Sequence, residues 1–263
     1  MLFIFFAVSF GASFIGGICG IGGGVIIKPL LDFFDLASVS AASFLSGCTV
    51  LSMSLYNVSC SLLSRRSAID LRAATPLAVG AAAGGVFGNR LFSAVGILVG
   101  SESIAGATQS LCLMALTLGT LLYTVKKSGI RTKSVANPLA RAGVGAVLGG
   151  LSSFLGIGGG PFNLVILHYF FGMNTKMAVE NSLYIILISQ ATNLMSTLLA
   201  RSVPEFSGFV LILMALGGVG GGVAGRACSR HLDSAAVDRL FIGLLMVIAG
   251  ICVYNTGRYL MSG

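Results

Sequence analysis

The sequence predicts an all-α integral membrane protein: about ten hydrophobic segments in two inverted-topology repeats of five, each with a Gly-rich broken or re-entrant helix hairpin. Three observations predict this. The 263 residues are 56% hydrophobic and only 9% charged, where a soluble domain carries roughly 25% charged residues. Apolar runs recur at close to the length of a bilayer crossing, about 20 residues. Landmarks of the first half return in the second at a nearly constant offset.

The first half holds apolar runs at 2–19, 23–35, 40–63, 73–95 and 104–125. The second holds 138–155, 160–171, 177–200, 207–227 and 236–257. Segments 23–35 and 160–171 are too short to cross a membrane. Each directly follows a Gly-Ile-Gly-Gly-Gly cluster, at 20–24 and 156–160, and reads as a half-helix or a re-entrant piece. Three regions follow: a first transmembrane repeat (1–125), a basic cytoplasmic linker (126–137) and a second transmembrane repeat (138–263).

The halves superimpose. Ile21 to Gly24 returns as Ile157 to Gly160, 136 positions later, and Ser46 and Asn57 return as Ser182 and Asn193 at the same offset. Gly80, Gly84 and Gly88 return as Gly217, Gly221 and Gly225 at 137, and Tyr123 as Tyr254 at 131. Glycines four apart share one helix face and let backbones approach closely in lipid, so both triplets read as helix-packing stripes.

The +8 charge balance sets orientation. The cations lie in short gaps between apolar runs, which argues against nucleic-acid binding. The gap 64–72 carries Arg65, Arg66 and Arg72, and 126–137 carries Lys126, Lys127, Arg131 and Lys133. Both are expected to face the cytoplasm. Between them, 96–103 has no cation and carries Glu102, so it is expected outside. In the second half, Arg201 and Glu205 balance in 201–206, whereas 226–235 carries Arg226, Arg230 and His231 and is expected inside. Equivalent loops then lie on opposite sides, and both termini are extracytoplasmic. Arg258 is the one misfit, because it falls outside.

Several classes are set aside. The start MLFIFFAVSF lacks the basic region of a cleavable signal peptide. The six cysteines are scattered without a CxxC pair and read as packing residues, with no metal site. No HExxH, GxSxG, haem-like histidine pair or GxxxxGK is present, and Val25 breaks a dinucleotide fingerprint. No enzyme activity, catalytic residue or cofactor is expected.

Inverted repeats with interrupted helices are a transporter signature, with substrate near the midplane. Backbone that leaves helical geometry inside hydrocarbon needs partners in protein or in a wet cavity. A helix beginning after glycines offers unpaired N–H groups and a positive dipole end, an anion site built from backbone. The expected substrate-binding residues are Gly22, Gly23, Gly24, Gly158, Gly159 and Gly160. Lys28 either adds positive charge there, snorkels, or pairs with Asp32 at i+4. Ser46, Asn57, Asn163, Asn181, Ser182 and Asn193 are further candidates for lining the cavity, and the two symmetric asparagines read equally well as interhelical hydrogen bonds. Glu180 is the coupling candidate, against a plainer reading as a helix-start residue. His168 reads as a structurally satisfied histidine.

With GICGIGGGVIIKPLL, LGIGGGPFNLVIL and the AVENSL that follows, nearly the whole chain resembles the TauE/SafE family of sulfite exporters. The resemblance implies an inner-membrane, multi-pass transporter of sulfite, thiosulfate or sulfonate-class anions. It implies a site at Gly22, Gly23, Gly24 and Pro29 in the first repeat. In the second it implies Gly158, Gly159 and Gly160, with Asn181 and Ser182. Lys28 stands where the family is often apolar, and Val165 stands opposite Pro29. Export of an anion runs down the membrane potential, whereas import needs co-transported protons or sodium. The competing readings are a channel-like or regulatory membrane component, and a transporter of a different small organic anion.

Overall fold

A computed structural model describes residues 2–64, 67–99, 102–130, 132–133, 135 and 137–262. Arg65, Arg66 and Arg131 of the basic gaps lie outside the described residues, as does the side chain of Glu102. The described residues form ten α-helices and no strand. The first five are α1 (Leu2–Cys19), α2 (Gly24–Phe33), α3 (Val39–Leu63), α4 (Leu71–Val99) and α5 (Glu102–Lys126). A single 3₁₀ turn follows at Lys127–Gly129. Then come α6 (Pro138–Phe154), α7 (Phe162–Phe171), α8 (Thr175–Leu199), α9 (Gly208–Ser229) and α10 (Ser234–Ser262). The ten expected apolar runs are these ten helices, with ends displaced by a few residues.

Helix starts follow local chemistry. Ser38 Oγ accepts from the Ala41 N–H (3.3 Å) at the head of α3. Asn174 Oδ1 accepts from the Met177 N–H (3.0 Å) at the head of α8. Asn137 caps α6, with Pro138 in its first turn. By contrast, α2 and α7 begin with no side-chain cap. These two helices have 10 residues each, about 15 Å, half the thickness of a hydrocarbon core of about 30 Å. Six helices (α1, α3, α5, α8, α9 and α10) contain stretches long and apolar enough to cross a membrane. The protein is therefore a multi-pass membrane protein.

Packing partners exchange when the two sets of five helices are exchanged. α1 packs on α9 and α6 on α4; α3 packs on α9 and α8 on α4; α2 lies on α3 and α10, and α7 on α8 and α5. The glycine stripes sit at the closest crossings. A Cβ at Gly80, Gly84 or Gly88 would strike the carbonyl of Ala142, Ala146 or Gly150 on α6. Gly221 and Gly225 press in the same way on the carbonyls of Phe10 and Phe14 on α1, and Gly217 meets Ser9 and the Phe6 carbonyl. The struck positions are themselves 136 apart, so each stripe and its groove are reproduced together.

Contacts also sort the helix ends. Arg141 Nη1 donates to the Arg72 carbonyl (2.9 Å), joining the starts of α6 and α4. Lys127 joins the end of α5 to Asp238 at the start of α10 (2.5 Å) and to Thr175 at the start of α8 (3.2 Å). Arg226 Nη1, in the last turn of α9, donates to the Asn57 carbonyl (3.0 Å) of α3. One end of the bundle thus gathers the basic loops. At the other end Arg258 donates to the Asp32 and Phe33 carbonyls (2.9 and 3.2 Å) and pairs with Asp35 (2.7 Å). It closes the C-terminus of α2, whose dipole favours a cation. That local role accounts for the one arginine that fits the charge rule badly.

Candidate functional site

The two glycine loops match at their first two glycines and diverge at the third, where Gly23 has φ of 74° and Gly159 has 159°. Gly20 and Gly22 have φ of 72° and 80°, and Gly156 and Gly158 have 65° and 68°. This left-handed region is open to glycine at no steric cost. The first loop turns back so that Gly23 lies against Ala12 and Ser13 of α1. The loops then meet. A Cβ at Gly24 would strike the Ile157 carbonyl, Gly22 and Gly158 both rest on Val50, and Gly22 and Gly159 both rest on Ile186. Val50 and Ile186 are again 136 apart. All six glycines, 22–24 and 158–160, are buried, and Ser46 Oγ donates to the Gly24 carbonyl (3.4 Å).

The polar candidates divide. Lys28 pairs with Asp32 (2.9 Å), both buried, so the i+4 alternative is realised, while its stem lies against Gly156. Pro29 offers its carbonyl to Asn255 Nδ2 (2.9 Å). Asn163 Nδ2 donates to Ser182 Oγ (3.5 Å) beside the second loop. Asn181 clamps the α3–α4 connection: its Oδ1 accepts from the Asp70 N–H (2.9 Å), and its Nδ2 donates to the Ala68 and Met177 carbonyls (3.0 and 2.8 Å). Glu180 accepts from the Ala68 N–H (3.1 Å) and from the Ser61 hydroxyl. His168 Nδ1 meets the Tyr123 hydroxyl (2.9 Å), which satisfies it.

Two cavities flank the glycine loops. One, of about 660 Å³, opens at the basic end between α1, α3, α8 and α9 and is lined by Asn57, Lys176, Glu180, Arg226 and Arg230 among others. The other, of about 120 Å³, lies at the opposite end, where Ser40, Asn89, Gln109, Gln190 and Asn193 contribute with Gly158. Their linings correspond through the internal duplication. Asn57 and Asn193, Lys176 and Ser40, and Glu180 and Phe44 are 136 apart; Arg226 and Asn89 are 137 apart. The Oδ1 atoms of Asn57, Asn193 and Asn163, and Arg226 Nε, are buried without a hydrogen-bond partner among the described residues. Buried polar atoms are ordinarily paired, so these mark places where a ligand or water would be welcome.

Of the expected residues, Asn57, Glu180, Asn193 and Gly158 reach a cavity, and the remaining glycines are buried where the two loops meet. Sequence reasoning treated Arg226 and Arg230 only as orientation signals and passed over Lys176. A signal was present: Arg226 directly follows the last glycine of its stripe, as Asn89 follows Gly88.

No match was found among curated proteins or solved structures. Residues 5–251 match the family described as Sulfite exporter TauE/SafE. The match spans both glycine loops and both cavities, and the chain belongs to the TauE/SafE family of sulfite exporters.

Proposed function

We propose that the protein exports a small sulfur oxyanion, sulfite or an organosulfonate, across the inner membrane by alternating access. One observation carries this reading: two matched glycine loops, each opening an uncapped half-length helix, meet between cavities at opposite ends of the bundle. Uncapped helix starts favour an anion, and two of them related by a pseudo-twofold suit one anion at the midplane. The exchange of packing partners between the halves supports two inverted repeats, 1–125 and 138–263, joined by the linker 126–137. The gathering of cations at one end supports placing that end in the cytoplasm, with both termini outside.

Gly22, Gly23, Gly24, Gly158, Gly159 and Gly160 then form the gate that the anion crosses. Ser46, Ser182 and Asn163 support it, Asn57 and Asn193 guard its two approaches, and Lys28, its charge offset by Asp32, packs its stem on the second loop. Asn181 and Glu180 hold the α3–α4 loop at the cavity rim. Export from a negative interior is favoured by about 2.3 kcal/mol per charge per 100 mV, so the cycle runs as a uniport and needs neither protons nor sodium.

The test is sulfite, thiosulfate and sulfonate flux into proteoliposomes, first with an imposed potential and then with a pH gradient. Flux following potential alone is expected. Flux that requires the proton gradient overturns the uniport and directs attention to Glu180. Absence of flux for every sulfur anion overturns the substrate.

A further inference from the structure

We propose that the two cavities are unequal faces of one anion path, and that Arg226 and Lys176 make the basic face the tighter one. The proposal rests on the transport reading above and adds a sidedness to it.

The two faces share one frame. At the positions of Lys176, Glu180 and Arg226 in the larger cavity, the smaller cavity has Ser40, Phe44 and Asn89. The larger lining holds Lys176, Arg226 and Arg230 against one carboxylate, and that carboxylate already accepts from Ser61 and the Ala68 N–H. Among the described residues lining the smaller cavity, none is ionisable. A concave wall with excess positive charge concentrates anions.

Arg226 is the better placed of the two. Its Nη1 is fixed on the Asn57 carbonyl (3.0 Å), while its Nε is buried without a partner. Gly17 and Ile18, just before the first glycine loop, line the same cavity. A held guanidinium with an unused donor, beside the start of the path, suits an oxyanion.

The consequence is kinetic. A passive carrier cannot shift the equilibrium, so at zero potential Vmax/KM is the same from both faces. The face that binds more tightly therefore has the lower KM and the lower Vmax, by one factor. For sulfite this factor is about five- to tenfold, the scale of one or two partly screened charges. Salt raises KM at the basic face and leaves the other nearly unchanged.

The experiment uses proteoliposomes with the protein inserted in one orientation, the potential clamped at zero, and sulfite supplied to one face at a time. Three substitutions exchange residues between the faces: Arg226→Asn, Lys176→Ser and Ser40→Lys. Lys176 is exposed, so Lys176→Ser leaves packing intact and decides the matter even if Arg226→Asn fails to insert. The expected result is a lower, salt-sensitive KM at the basic face, raised about threefold or more by Lys176→Ser and further by Arg226→Asn. Ser40→Lys lowers KM at the opposite face. Equal KM from both faces, or an asymmetry that Lys176→Ser and Ser40→Lys both leave untouched, overturns the proposal while the transport function stands. No sulfite flux from either face overturns both.

Discussion

Gly24→Ala tests the contact on which the site depends. The added methyl would occupy the space of the Ile157 carbonyl and lie 3.0 Å from Ser46 Oγ. Ser46 can rotate, but the carbonyl is part of the second glycine loop and cannot. The two loops must separate, and overpacking of this kind costs about 1–3 kcal/mol. We place it in the upper half of that range, about 2–3 kcal/mol, because the obstruction is backbone. At about 2–4 °C per kcal/mol for a chain of this size, Tm falls by about 5–10 °C. The assay is thermal unfolding in detergent, followed with a dye that fluoresces on reaction with thiols as the buried Cys19 and Cys252 become exposed. Gly119→Ala is the control, since no atom lies within 4 Å of a Cβ there and Ala favours the helix; its Tm stays level or rises. Adding Ser46→Gly to Gly24→Ala removes the hydroxyl and leaves the carbonyl, so the double variant remains destabilised. A Gly24→Ala protein that melts with the wild type and transports normally, or one restored by Ser46→Gly, refutes a backbone contact between the loops.

Two further outcomes follow from buried polar pairs. Lys28→Met leaves Asp32, a residue only 4% exposed, without its cation and costs about 3–5 kcal/mol, whereas Lys28→Met with Asp32→Leu recovers most of that loss. Detergent melts of the single and double variants check this, and a double variant no better than the single contradicts it. Asn181→Ala removes two bonds that hold the α3–α4 connection, to the Asp70 N–H and the Ala68 carbonyl, at about 1–3 kcal/mol. Amide hydrogen exchange at residues 67–70 should quicken, and unchanged exchange there would show that the clamp is dispensable.

The helices were legible because lipid imposes a simple demand: every backbone polar group must be satisfied within its own segment. Apolar length therefore marks helices directly, and the ten runs return as ten helices. The short segments were legible too, because a run after GIGGG is cut off by residues that end helices. The meeting of the loops was not. Gly24 touches Ile157 across 133 positions, and nothing local in either loop specifies which backbone lies opposite. The stripes were legible as helix contacts. Their partner on α6 carries small residues at the same spacing, Ala142, Ala146 and Gly150, whereas Phe6, Phe10 and Phe14 on α1 offer no small-residue signature. At Gly221 and Gly225 the phenylalanine carbonyls, not their rings, make the closest approach.

The site was half legible for a reason that bears on how a duplicated transporter works. A duplication searched for identity finds what the two halves keep: the glycine loops, the stripes, Ser46 with Ser182, Asn57 with Asn193. Those residues build a frame with two equal faces. A carrier with equal faces has no preferred side, so any sidedness must reside where the halves differ. Some of these differences fall at polar positions. Arg226 stands opposite Asn89 and Lys176 opposite Ser40 in the cavities. Within the half-helices, the buried Lys28–Asp32 pair stands opposite Leu164 and His168. A cation next to a basic loop reads from sequence as an orientation signal, and Arg226 is overlooked for that reason. Only the fold turns it inward, because the close α1–α9 crossing at Gly225 brings the next residue to the wall of the cavity. Shared symmetry therefore locates the gate, and broken symmetry locates the residues that make its two faces bind unequally.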